Sequence, residues 1–185
     1  MLTPFSSPRP QHSRSAFTLI ELLVVIAIIA ILAGLGMAGI SGALKSARKA
    51  EVRAMLNQTK LAVTSYYADY GIWPAKKDGK PFTNTDNEFL LTMIGSNTTV
   101  NKRGIRYLEP APKFTNLQGL VTPAKFYKPV STNQSNFVLV LDTDYDGRIK
   151  VKDTTTGTDK DISGSVAVYI SDPDGKGNDR FITTY

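Results

Sequence analysis

The sequence predicts an α+β fold: one long N-terminal α-helix, apolar in its first half, packed on a small antiparallel β-sheet with a loop-rich C-terminal region. Three observations predict it. Leu22 to Ile40 run nineteen residues without a charge or strongly polar side chain. Apolar residues spaced by three and four then carry the helical period to Tyr70. Beyond residue 135, short runs rich in Val, Ile, Leu and Phe read as strands. A chain of 185 residues holds one ordinary domain plus extensions.

Composition narrows the function. The 22 Lys+Arg against 16 Asp+Glu give a formal net charge of +6, but the positive charge is not gathered into one patch, so no nucleic acid partner is expected. Zero cysteines exclude a disulfide scaffold, a thiolate metal site and a cysteine nucleophile. The single histidine, His12, lies in the extreme N-terminal segment, which disfavours Ser-His-Asp catalysis and multi-histidine metal sites. No catalytic residue and no enzymatic activity are expected.

Residues 1–16, with three prolines, four serines, Arg9, Arg14 and no acid, read as a leader outside any core. Residues 17–40 carry the apolar run, which as a helix would be roughly 28 Å long, close to the hydrocarbon thickness of a bilayer. The run is too long for the discarded apolar core of a secretory signal, and no A-x-A site closes it. Glu21 stands alone among apolar residues at its front edge, where an ionised group is costly without a partner.

The string Ala16-Phe17-Thr18-Leu19-Ile20-Glu21 followed by the long apolar helix resembles the class III leader of type IV pilins and type II secretion pseudopilins. The resemblance implies the pilin-like fold and a cut by prepilin peptidase between Ala16 and Phe17, with methylation of the new Phe17 amine. Removing sixteen leader residues leaves 169 of the 185. The family usually has Gly before the cut; Ala16 keeps that residue small, and cleavage is expected. The resemblance also supplies Glu21 with a role in assembly, pairing with the Phe17 amine of a neighbouring subunit. Within one helix the new ammonium lies four residues before Glu21, on the same face.

Gly34, Gly36, Gly39 and Gly42 soften the second half of the run. Gly34, Ala38 and Gly42 form a small-residue stripe at four-residue spacing, suited either to close helix packing or to local unwinding; the helix-breaking proline often found there in the family is absent.

Residues 41–74 read as an amphipathic continuation, with Leu44, Ala47, Val52, Met55, Leu56, Val63, Tyr66, Tyr67 and Tyr70 on the apolar side. Gly71 and Pro74 stop the helix. From Phe17 to Tyr70 it would run 54 residues, roughly 80 Å. The basic residues between Lys45 and Arg53 lack the aromatics or reading motif of a nucleic-acid surface.

Residues 75–185 form the remaining globular region. A short helix is predicted around Glu88 to Ile94, and strands at Asn136 to Leu141, Arg148 to Lys152 and Ser165 to Ile170. Asn101-Lys102-Arg103-Gly104-Ile105-Arg106-Tyr107-Leu108-Glu109 resembles an N-x-R-G-I-x-[FY]-L-E segment of pseudopilin-like proteins.

Nine of the sixteen acids fall between Asp142 and Asp179. Asp142, Asp144, Asp146 and Asp153 sit at positions 1, 3, 5 and 12 of a calcium-loop pattern, with Gly147 at position 6. Position 12 is Asp and not Glu, and a predicted strand precedes the loop; a solvated acidic hairpin turn is the alternative. A second cluster around Asp172, Asp174, Asn178 and Asp179 resembles the C-terminal calcium loop of major pseudopilins. There a divalent cation would offset the repulsion of converging carboxylates. Calcium is the expected cofactor, at one shared site or two.

These readings predict a structural subunit stored in the bacterial inner membrane by a single pass, its globular part periplasmic, that polymerises with copies of itself. The resemblance implies a pseudopilin of a type II secretion system, with prepilin peptidase, other pseudopilins and the inner-membrane assembly platform as partners. A type IV pilus or competence pilin on a surface filament is the nearest variant. A membrane-anchored calcium-binding protein that never polymerises is the alternative of a different class.

Overall fold

The computed structural model describes residues 17–123, 135–172 and 181–185, with the side chains of residues 36–39 and 41 left aside. The chain divides into two compact units, Met1–Leu44 and Lys45–Tyr185. Helix α1 spans Leu19–Tyr70.

In the first unit α1 begins with a reciprocal cap. The main-chain N–H and hydroxyl of Thr18 both donate to one Glu21 carboxylate oxygen, at 2.9 and 2.8 Å, and the Glu21 N–H donates back to the Thr18 hydroxyl at 3.3 Å. This arrangement satisfies amide groups that the first turn of a helix leaves without intrahelical partners. From there the apolar side chains are exposed, Leu19 at 87% and Leu35 at 73%. Among the described residues no helix is long and apolar enough to cross a membrane.

In the second unit, α1 buries Val52, Met55, Leu56, Thr59, Ala62, Val63 and Tyr66, the one-sided pattern that a 3.6-residue period gives. Leu44, in the first unit, and Ala47 are exposed, so burial starts later along the helix than the sequence pattern suggests. Gly71 adopts φ +68° and donates its N–H to the Tyr67 carbonyl at 2.8 Å, the left-handed stop expected of a glycine just beyond a helix.

Helix α2, Asn87–Met93, is capped by Asp86, whose carboxylate accepts from the Phe89 N–H at 2.9 Å. It buries Phe89, Leu90, Thr92 and Met93. A 3-10 turn at Pro112–Phe114 leads into a small hairpin of β1, Thr115–Asn116, and β2, Gly119–Leu120.

The sequence points to one sheet, and the described residues form three small antiparallel ones. Strands β3 (Val138–Leu141), β6 (Val166–Ser171) and β7 (Phe181–Thr183) form the central sheet in the order β3-β6-β7. Strands β4 (Arg148–Lys152) and β5 (Asp159–Ser163) form a separate hairpin. The main core joins the buried face of α1 to Phe82, Phe89, Phe137, Leu139, Val168 and Ile170. A satellite cluster of Ile149, Val151 and Ala167 packs with Val140 and Ile162. A long helix packed against small antiparallel sheets is thus the architecture of the second unit, a pilin-like α+β arrangement.

Candidate functional site

Two places gather the sequence-predicted residues. The first is the start of α1. Phe17 is 80% exposed immediately before the Thr18–Glu21 cap, and the Glu21 carboxylate is engaged by Thr18 of its own chain. Ala16, the residue expected to precede the cut, lies outside the described residues.

The second is the loop between β3 and β4. Carboxylate oxygens of Asp142, Asp144 and Asp146 all lie within 4.8 Å of one another. Asp142 is buried and the other two are exposed. The loop folds around Asp142: its carboxylate accepts the N–H of Asp146 at 3.2 Å and of Gly147 at 2.9 Å, while its own N–H donates to the Ser165 carbonyl at 2.9 Å. Asp146 in turn accepts from the Arg148 N–H at 2.7 Å. The chain reverses through Tyr145 at φ +60° and Gly147 at φ +76°. The left-handed conformation suits glycine and is uncommon for a bulky side chain. Three clustered hard oxygen donors could hold a metal such as calcium or magnesium.

Asp153 does not join this group. Residues Arg148–Lys152, which a wrapping calcium loop would curl around the ion, are strand β4. Five extended residues carry Asp153 roughly 16 Å along the hairpin. There its carboxylate accepts from the N–H groups of Thr155 at 2.8 Å and Thr156 at 3.0 Å, closing the β4–β5 turn. The Thr156 and Thr155 amides hold its carboxyl below the usual carboxylate range.

Asp172, expected to serve the C-terminal cluster, is buried at the end of β6 and lies 2.7 Å from the Lys49 ammonium on α1. A cation approaching it has to share the carboxylate with that lysine. Asp174, Asn178 and Asp179 lie outside the described residues.

Residues 11–37 match the Prokaryotic N-terminal methylation motif. The chain carries a class III prepilin leader. No curated protein and no solved structure matches the chain. The prepilin leader implies processing by prepilin peptidase, anchoring in the inner membrane before assembly, and pilus-like assembly, and it makes the chain prepilin-like at its N-terminus. The motif covers the start of α1 and leaves the acidic loop outside it.

The segment from Asn101 to Glu109 has a structural explanation. Asn101 is fully buried; its amide donates to the carbonyls of Thr92 at 2.9 Å and Ile105 at 2.7 Å, and its oxygen accepts from the Ile105 N–H and the Tyr70 hydroxyl. Arg103 donates its N–H to the same Tyr70 hydroxyl at 2.9 Å. A Cβ at Gly95 would meet the Gly104 carbonyl oxygen at 2.5 Å, so Gly95 lets the two segments of this clasp approach. The segment ties the end of α2 to the end of α1. Three residues that sequence reasoning passed over are Thr18, Lys49 and Trp73, each engaging a predicted site residue.

Proposed function

We propose that this chain is the structural subunit of a type IV filament-like assembly, specifically a pseudopilin of a type II secretion system. The observation that supports it is the coincidence of the methylation motif over residues 11–37 with a helix whose apolar side chains, from Leu19 through Leu35 and again at Ile40 and Leu44, stand exposed. Fully burying each Val, Leu or Ile is worth about 1.5–3 kcal/mol, so such a surface requires a non-aqueous cover. In this reading residues 17–40 sit in the inner membrane as a single pass, and on assembly the same surface packs against the helices of other copies.

Cleavage after Ala16 creates an ammonium at Phe17, and the Glu21 carboxylate of a neighbouring copy pairs with it in a low-dielectric setting, fixing axial register. Calcium is the ion assigned to Asp142, Asp144 and Asp146. The engagement of Asp172 by Lys49 favours this loop over the C-terminal cluster of Asp172, Asp174, Asn178 and Asp179. The absence of cysteine, and with it of a disulfide-closed terminal loop, leans from type IV pilus towards pseudopilus.

The test is a Glu21→Leu variant produced beside the wild-type chain in cells with a working assembly system. Processing at Phe17 should persist while assembled material falls sharply. Equal assembly of the variant would remove Glu21 from the mechanism, and an intact leader on the wild-type chain would leave a plain membrane anchor. Wild-type filaments recovered abundantly by shearing cells would favour the pilus variant.

A further inference from the structure

A basic stretch of α1 follows the apolar run. Residues 41–60 hold Lys45, Arg48, Lys49, Arg53 and Lys60 against the single acid Glu51. Three of these side chains are engaged within the fold: Lys49 lies 2.7 Å from Asp172, Glu51 lies 2.9 Å from Lys113, and Lys60 donates to the Thr184 carbonyl at 3.4 Å. Lys45, Arg48 and Arg53 are exposed. Ala47 is exposed too, whereas Val52, one turn beyond Arg48 on the same face, is fully buried. The cover that the globular unit gives this face of the helix therefore begins after Arg48 and leaves its guanidinium outside.

The position of these cations runs against the ordinary charge bias of a membrane segment. The flank richer in Lys and Arg, counted over about 15–20 residues, normally stays in the cytoplasm. Here the richer flank is the one that leads into the globular unit, and the leader has only Arg9 and Arg14, which leave with it on cleavage. In the single-pass reading proposed above, the richer flank is the one carried across the membrane, so orientation does not account for it. Nucleic acid does not account for it either, since residues 41–65 contain no aromatic side chain on which a base could stack. The flank of a membrane segment does meet phospholipid headgroups, held at high local concentration by the anchor itself. An exposed guanidinium matches a phosphate bidentately, and a net negative headgroup adds an attraction that a zwitterionic one lacks.

We infer that Arg48 and Arg53, with Lys45 beside them, bind the anionic phospholipid headgroups of the membrane that holds the apolar run. The contact adds to the apolar attachment a polar one that is selective for lipid charge. The inference rests on the single-pass reading proposed above and does not depend on polymerisation.

The probes are phosphatidylglycerol and phosphatidylcholine, each added to the full chain in a mild detergent and counted as bound lipid by native mass spectrometry. The wild-type chain should bind phosphatidylglycerol about tenfold or more tightly than phosphatidylcholine. Arg48→Gln with Arg53→Gln should bring the two lipids within about twofold of each other. A control with the same loss of charge on the β4–β5 hairpin, Lys150→Gln with Lys160→Gln, should keep the preference. All four side chains are exposed, so both double variants should melt with the wild type. Equal binding of the two lipids by the wild type, an undiminished preference in the arginine variant, or an equal loss in the control overturns the contact and leaves the single-pass reading intact. Release of the wild-type chain from membranes by alkaline carbonate overturns both.

Discussion

The indole N–H of Trp73, three residues beyond the end of α1, donates to the main-chain carbonyl of Asp142, the first carboxylate of the acidic loop. Tyr67 stacks on the same indole with ring centroids 4.1 Å apart, and Tyr145 of the loop approaches Tyr67 at 6.3 Å. The loop that gathers three aspartates is thereby fastened to the last turn of the helix.

Trp73 is the chain's single tryptophan, so its emission reports on that loop. Adding calcium to metal-free protein should shift Trp73 emission to a plateau, and Asp144→Asn with Asp146→Asn should abolish the response. Both aspartates are exposed, so the variant should keep the wild-type melting temperature without metal. A flat titration of the wild-type chain, with no heat of binding by calorimetry, would show an acidic turn that holds no ion.

The Lys49–Asp172 pair should matter for stability in an asymmetric way. Asp172 has a side chain only 2% exposed, whereas that of Lys49 is 29% exposed. Lys49→Met should destabilise the folded unit by about 1–3 kcal/mol, since it takes the cation from a buried carboxylate. Adding Asp172→Asn should restore part of that loss. Urea denaturation of the two single variants and the double variant measures the coupling; strict additivity would show that the pair contributes nothing.

Two glycines with positive φ should respond differently to alanine. At Gly119 a Cβ would stand 2.2 Å from the Asp86 carbonyl carbon, and φ is +115°; Gly119→Ala should cost more than about 2 kcal/mol. At Gly71, φ is +68° and the space is open, so the cost should be about 1 kcal/mol of backbone strain. Thermal unfolding of both variants checks the order.

These examples also locate what the sequence made legible. Val, Ile and Leu content marked β3, β4 and β6, and Gly71 marked the helix end, because local chemistry decides those features. Strand β5 has no apolar run to mark it, Asp159-Lys160-Asp161 being charged throughout; it exists through its partner, with Lys152 and Asp159 2.6 Å apart. Their mutual hydrogen bond raises the lysine and lowers the aspartate from their ordinary ranges. At the acidic loop the alternation of Asp142, Asp144 and Asp146 was readable. Asp153 was not, since its place depends on β4 staying extended against β5. Asp172 and Lys49 meet across 123 positions of sequence, a relationship no local pattern encodes.

Tyr185 gives a pH dependence. Burial pushes its phenol up to about 12, and the hydroxyl donates to the Lys152 carbonyl at 2.6 Å. A raised pKa means that the fold favours the neutral phenol. That stabilisation is complete below the ordinary tyrosine pKa near 10 and is lost as pH rises from there towards 12. Tyr185→Phe should lower the melting temperature modestly at pH 7 to 8, where the hydrogen bond to Lys152 is lost, and flatten its decline above pH 10. An unchanged alkaline slope would remove Tyr185 as a contributor.

The most direct test of the central claim is the intact mass and N-terminal peptide of the chain recovered from membranes and from assembled material. The account expects loss of residues 1–16 and one added methyl group on the amine of Phe17 in the assembled fraction. A chain that keeps Met1–Ala16, or one cleaved after the apolar run and released without it, would contradict the account.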